Sequence, residues 1–223
     1  MKILFLGTGA ADWNHWEHGA MADYRRNASV LIDDVLLIDP GPDVPEALER
    51  FGRSSNRITH ILNTHRHQDH YCPETVRKLG GAELVQIAVG THAMVGGYRV
   101  SALSANHGTC EGTTHFLISD GRSSLFYGLD GAWLMYDEVQ ALRKGVDYAV
   151  IDATIGDAEG DYRIFEHNNL RMVQEMKSTL APYVGRWCLS HMSRTLHGSH
   201  QALCDRMKPY GFEVAYDGYE AEF

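Results

Sequence analysis

The chain has 223 residues, 44% hydrophobic and 22% charged, an ordinary globular composition with enough apolar material for a sizeable core. Its formal charge of −9, from 20 Lys and Arg against 29 Asp and Glu, excludes a protein whose main affinity comes from neutralising many phosphates along a basic stripe. No stretch approaches the ~18 uninterrupted apolar residues of a membrane-spanning helix, and the N-terminal apolar run is too short for the ~7–15-residue core of a secretory leader.

The length suits a single domain over residues 1–223. Cys72, Cys110, Cys188 and Cys204 are far apart and form no CxxC pair, so free thiols in a reducing cytoplasm are the expectation. In chain order, strands are expected at Lys2–Leu6, Ser29–Ile32 and Val35–Ile38, followed by a helix at Val44–Phe51 with a proline at its entry. Strands at Ile58–Asn63 and Glu83–Val89 flank a helix at Pro73–Leu79. The strands Arg99–Leu103, Thr114–Ile118 and Ser124–Tyr127 come next. Strand and helix then alternate: helix Tyr136–Arg143, strand Tyr148–Ile151, helix Leu170–Leu180, strand Arg186–Leu189, helix Gln201–Lys208 and strand Phe212–Ala215. This order predicts two mixed sheets with helices on their outer faces, a layered α/β architecture.

Thirteen histidines stand out, and their placement matters more than their number. The apolar run beginning at Ile58 leads directly into His65-Arg66-His67-Gln68-Asp69-His70. Side chains alternate along extended backbone, so His65 and His67 project to one side. Beyond the strand the chain must turn, and Asp69 and His70 can swing toward a second point nearby. One loop can thus serve two metal ions. Imidazole and carboxylate suit zinc first, with manganese or iron as alternatives, and no thiolate signals a Cys-rich structural site.

The segment Thr64–His70 resembles the signature of the metallo-β-lactamase superfamily. His107 in SANHG, Asp130 in YGLDG and His191 in CLSHMS resemble its later ligand positions, each after an expected strand. The resemblance implies a four-layer αβ/βα sandwich with its site where strands end. It implies one metal on His65, His67, His107 and Asp130, and a second on Asp69, His70, His191 and the shared Asp130. Two divalent ions against Asp69, Asp130 and a bridging hydroxide leave about one net positive charge, which suits an anionic ester attacked by that hydroxide.

Both chain ends, LGTGA and AYDGYEAEF, are similar to the branch holding the tRNA 3′-processing endonuclease and the cyclic ribosyl-phosphate phosphodiesterase. Asp152 in IDAT and His167 in EHNN resemble that branch's proton shuttle to the leaving oxygen. Asp152 is one methylene shorter than the endonuclease's glutamate, and whether it reaches His167 is open at this stage. Asp69 completes the expected catalytic group with His167 and Asp152. No insertion here is large enough for the endonuclease's basic tRNA-gripping arm, and the stretch matching the phosphodiesterase's extra zinc site has no cysteine. The implied substrate is therefore a small anionic molecule, a small or cyclic phosphodiester such as a nucleotide or sugar phosphate.

A carbon-centred hydrolase of the same fold, a lactonase or thioesterase, is the alternative, and a non-catalytic metal-binding module the third reading. Dimers are common in the branch, which leaves a homodimer open. Between Asp12 and Asn27, Trp13, His15, Trp16, His18, Tyr24, Arg25 and Arg26 either face substrate or pin the loop to the core. His197 and His200 are candidate pocket residues, whereas His60, His92 and His115 read as structural or exposed.

Overall fold

The computed structural model describes residues 1–13 and 23–223. His15, Trp16 and His18 lie outside them. In chain order the strands are β1 (Lys2–Gly7), β2 (Ser29–Ile32), β3 (Leu36–Ile38), β4 (His60–Leu62), β5 (Glu83–Leu84), β6 (His92–Val95), β7 (Tyr98–Ser104), β8 (Thr114–Ser119), β9 (Ser124–Gly128), β10 (Val146–Asp152), β11 (Val184–Ser190), β12 (Phe212–Val214) and β13 (Glu220–Glu222). The helices are α1 (Val44–Arg50), α2 (Pro73–Lys78), α3 (Tyr136–Leu142), α4 (Leu170–Leu180) and α5 (His200–Met207). One sheet has the order β13-β1-β2-β3-β4-β5, the other β12-β11-β10-β9-β8-β7-β6.

Strand β1 shows why the molecule is layered. Ile3 and Phe5 join a cluster with Val100, Ile118 and Tyr127 of the opposite sheet, while Leu4 and Leu6 join Ala47, Leu48 and Ile61 beneath α1. Alternate residues thus face the inter-sheet core and the helices, and a strand covered on both faces reads as an unbroken apolar run. Strand β10 repeats the device: Tyr148 and Val150 point between the sheets, Ala149 and Ile151 toward the helices. On that outer face α4 presents Leu170, Val173, Met176 and Leu180, spaced at helical period, beside Leu203 and Met207 of α5. Four layers result, helices–sheet–sheet–helices, as the αβ/βα expectation required. Each such buried aliphatic or aromatic side chain contributes roughly 1.5–3 kcal/mol over leaving it in water.

The pairing directions decide where function can sit. β3, β4 and β5 are mutually parallel, as are β9, β10, β11 and β12. β1 and β7 each reach their group through two antiparallel steps, so they run with it. The C-terminal ends of β1, β3 and β4, and those of β7, β9, β10 and β11, therefore gather along one edge of each sheet. Gly9, just past β1, bridges to Met192, just past β11, and joins the two sheets at that edge.

Two strands are absent from the sequence reading, β6 and β13. β6 fully buries only Val95 and β13 only Ala221, so each is too short and too lightly buried to stand out as an apolar run. The expected strand Glu83–Val89 shortens to Glu83–Leu84. No helix among the described residues is long and apolar enough to cross a membrane.

Candidate metal centre

Every one of the seven ligand candidates is delivered to that shared edge. His65 and His67 leave β4, and their ring centres are 4.5 Å apart. His107, three residues past β7, brings Nε2 to 3.2 Å from His67 Nδ1. The donor atoms of His65, His67 and His107 all lie within 4.8 Å of one another. A second group forms around His70 Nε2, which is 3.2 Å from Asp69 Oδ2, 3.2 Å from His191 Nε2 and 2.8 Å from Asp130 Oδ2. Asp130 also lies within 4.8 Å of donor atoms on both His65 and His70, and so stands between the two groups.

The residues fit divalent cations. His65 Nε2 is buried without a hydrogen-bond partner among the described residues, beside Asp130 Oδ2, which meets the rings of His70 and His191. Buried polar atoms are normally satisfied, so an orphan within a donor cluster marks where a cation's bond belongs. All donors are imidazole nitrogen or carboxylate oxygen, a set that zinc, manganese and iron accept. Burial, followed by the neighbouring His70, pushes His65 down to about 2, so its ring offers lone pairs at neutral pH. Burial opposes a charge on His70, yet Asp130, Asp69 and Asp39 together hold it well above the ordinary histidine range. Three carboxylates around one ring create a demand for positive charge that a proton on His70 or a bound cation meets.

A ring of outer contacts sets the ligands' orientation. Asp39, at the end of β3 and fully buried, accepts from Thr64 N at 2.7 Å and from Thr64 Oγ1 at 2.9 Å. Its other oxygen faces His70 Nδ1 at 2.8 Å. That contact fixes the tautomer and leaves Nε2 for the centre, the usual arrangement of a metal-bound histidine. The sequence reading missed Asp39, although a buried acidic residue directly after a strand and before Pro40-Gly41 is the signal that marks it. Thr154, also missed, places Oγ1 2.7 Å from His191 Nδ1. Asp39, Asp130 and His191 all adopt positive φ, near 60°, which is uncommon for non-glycine residues and concentrates at functional sites.

Asp152 ends β10 and reaches His167 after all, with Oδ2 3.0 Å from His167 Nδ1. The shorter side chain suffices because the His167 segment is drawn in: Asn168 N donates to Asp152 Oδ1 at 3.0 Å. Thr154 N and Asp130 N also donate to this carboxylate. Burial raises the Asp152 carboxyl, but His167, and His191 beside it, bring it below the usual range. Conversely, burial opposes a proton on His167 and Asp152 outweighs it, so His167 lies above the ordinary histidine value. These groups open onto a cleft of about 160 Å³, lined by His67, Asp69, His107, Asp130, His167 and His191, with Asp12 and Arg163 also present.

A family model described as anti-Pycsar protein Apyc1 matches residues 1–72, a span that includes the His65–His70 run. A search among curated proteins finds no match. Among solved structures, the metallo-β-lactamase fold protein YhfI from Bacillus subtilis superposes with a TM-score of 0.75 at 17% identity, over 100% of this chain and 99% of that one. The chain has the metallo-β-lactamase fold. A diphosphatase from the PhnP family aligns over 100% of this chain and 96% of its own, with a TM-score of 0.78 and 21% identity. Zinc-bound PqqB from Methylobacterium extorquens covers 100% of both chains with a TM-score of 0.76 and 17% identity.

Within this metallo-β-lactamase fold, the three expected substrate contacts sit elsewhere. Trp13 Nε1 donates to Met192 O at 2.7 Å, which pins the start of the loop to the end of β11. Arg26 is buried and paired with Glu46 and Asp217, so its fork is not offered to a phosphate. His197 bonds Ala153 O at 2.7 Å and lines a neighbouring depression with Trp13, Arg25 and His200. None of the three lines the cleft. Their aromatic and basic chemistry is spent on anchoring, for which a sequence offers no separate signal.

Proposed function

We propose that the protein is a dinuclear metal-dependent phosphodiesterase acting on a small or cyclic phosphodiester, such as a nucleotide or sugar phosphate. One observation carries this reading: a histidine held by a buried carboxylate, His167 on Asp152 at 3.0 Å, opens onto the same cleft as the two donor groups. Cleavage of an ester to an alkoxide leaving group requires a proton at the departing oxygen, and His167 is placed to supply it.

His65, His67, His107 and Asp130 would hold one divalent ion, and Asp69, His70, His191 and Asp130 the other, with zinc first and manganese or iron as alternatives. When bound, such ions polarise a phosphoryl oxygen and activate water at neutral pH. The chain's own part is to hold the proton and the geometry. Nδ1 of His167 is committed to Asp152, which leaves Nε2 as the atom that faces substrate. Asp152 favours the protonated ring, and Thr154 links that carboxylate to His191 so that shuttle and candidate ligand keep one spacing. The likeness to a PhnP-family diphosphatase supports phosphoryl chemistry in this cleft.

The test is hydrolysis of bis(p-nitrophenyl) phosphate by metal-loaded and chelator-stripped protein, with metal content measured alongside. Turnover that requires about two metals per chain is the expected result. Two bound metals with no phosphodiester turnover, but activity on a lactone or thioester, would transfer the site to carbon-centred hydrolysis.

A further inference from the structure

Among the described residues that line the cleft, Arg163 is the sole lysine or arginine. It sits in the short turn Tyr162–Phe165 between β10 and α4, just before His167. Its carbonyl accepts from both Glu166 N and His167 N at 2.8 Å, so its backbone is tied to the position of the shuttle histidine. The side chain is fixed as well. Asp161 caps the turn through Arg163 N at 2.9 Å and takes the guanidinium by two bonds, Nε to Oδ1 at 2.9 Å and Nη2 to Oδ2 at 2.6 Å.

That pairing uses one edge of a planar fork with five N–H donors. The Nη1–Nη2 edge keeps its remaining donors, and 31% of the side chain is exposed. A guanidinium whose other edge is already bound loses less freedom when it grips a second oxyanion, and its geometry matches paired phosphoryl oxygens. A simple surface ion pair needs no place in a cleft whose other walls are histidine and aspartate.

We propose that Arg163 is a substrate-binding residue that takes phosphoryl oxygens of the bound ester and selects anionic over neutral esters. The assignment rests on the phosphodiesterase reading of the cleft. Asp161 is then the positioning residue that aims the fork.

Inorganic phosphate is the probe, titrated calorimetrically into metal-loaded wild type, Arg163→Gln and Arg163→Lys, with metal content checked for each. Loss of a charge-assisted fork should weaken phosphate binding by about tenfold in Arg163→Gln, with metal content unchanged. Arg163→Lys, which keeps the charge but not the fork, should fall between, and it carries the test if Arg163→Gln does not fold. On bis(p-nitrophenyl) phosphate Arg163→Gln should raise KM more than it lowers kcat, and the preference for this anionic ester over the neutral p-nitrophenyl acetate should narrow. Phosphate affinity within twofold of wild type in the variants would overturn the assignment and leave Arg163 as a capping residue of its turn. Weakened phosphate binding without phosphodiester turnover by wild type would support Arg163 as the oxyanion contact while removing the phosphodiesterase reading.

Discussion

At His167 two opposing influences meet in one ring. Burial favours the neutral form, Asp152 favours the protonated one, and Asp152 prevails, so the ring is protonated more readily than a free histidine. Truncating it removes the proton donor while leaving all seven candidate ligands in place. His167→Ala is expected to retain its metals and lose about 10²–10⁴ in kcat, the range of general acid–base assistance. Retention of full activity would end the shuttle assignment. Asp130 is the counter-case, because it stands between both donor groups. Asp130→Ala should lose metal and activity together, measured by elemental analysis beside turnover. The candidate ligands His65, His67, Asp69 and His70 were legible because imidazoles and carboxylates packed into one short run have few other uses, whereas His107, Asp130 and His191 came only from the family resemblance. Asp39 and Thr154 were not legible, since a single Asp or Thr after a strand looks like any turn residue until its partner is known.

At the scale of elements, His115 of β8 shows a different use of the same side chain. Its Nδ1 faces Glu138 Oε1 at 2.5 Å and its Nε2 faces Leu129 O at 2.9 Å. Acceptors on both sides favour the doubly protonated ring, an imidazolium donating twice. Glu138 Oε2 also accepts from Met135 N at the entry to α3, so β8, α3 and the end of β9 are tied one residue before Asp130. Burial lowers the His115 value, but Glu138 outweighs it and the folded pKa is raised. The unfolded value is about 6.5, so this contribution is fully present below that pH and is lost as pH rises through the raised native value. Urea unfolding of metal-loaded protein from pH 6.5 to 9 should therefore show a steeper loss of stability in wild type than in His115→Gln. Parallel profiles would mean that His115 is neutral in the fold. The longer apolar strands were equally legible from their runs, whereas β6 and β13, with one fully buried side chain each, are short edge strands defined mainly by backbone pairing.

The molecule as a whole gathers Asp39, Asp69, Asp130 and Asp152 with six histidines at the shared ends of parallel strands. Such a concentration of buried ionisable groups is costly without a cation, so bound metal should act as a folding ligand. At metal about 100-fold above its dissociation constant the gain is ~2.7 kcal/mol, equivalent to roughly 5–10 °C in Tm for a chain of this size. Chelation should lower Tm by that order in a thermal melt and readdition should restore it. An unchanged Tm after verified metal removal would argue against metals at this edge.

By itself the sequence determined the apolar runs that make a two-sheet sandwich and the imidazole–carboxylate cluster His65–His70, to which the family resemblance added His107, Asp130 and His191. Both are local patterns, written in spacing and residue chemistry. The tertiary structure alone decided that Asp152 reaches His167, that Asp39 holds His70, that Arg26 is spent on Glu46 and Asp217, and that Arg163 faces the cleft. Each of these joins residues distant along the chain or turns a side chain toward one neighbour rather than another. Those choices follow from which strand ends the parallel pairing brings together, a global property that no short segment encodes.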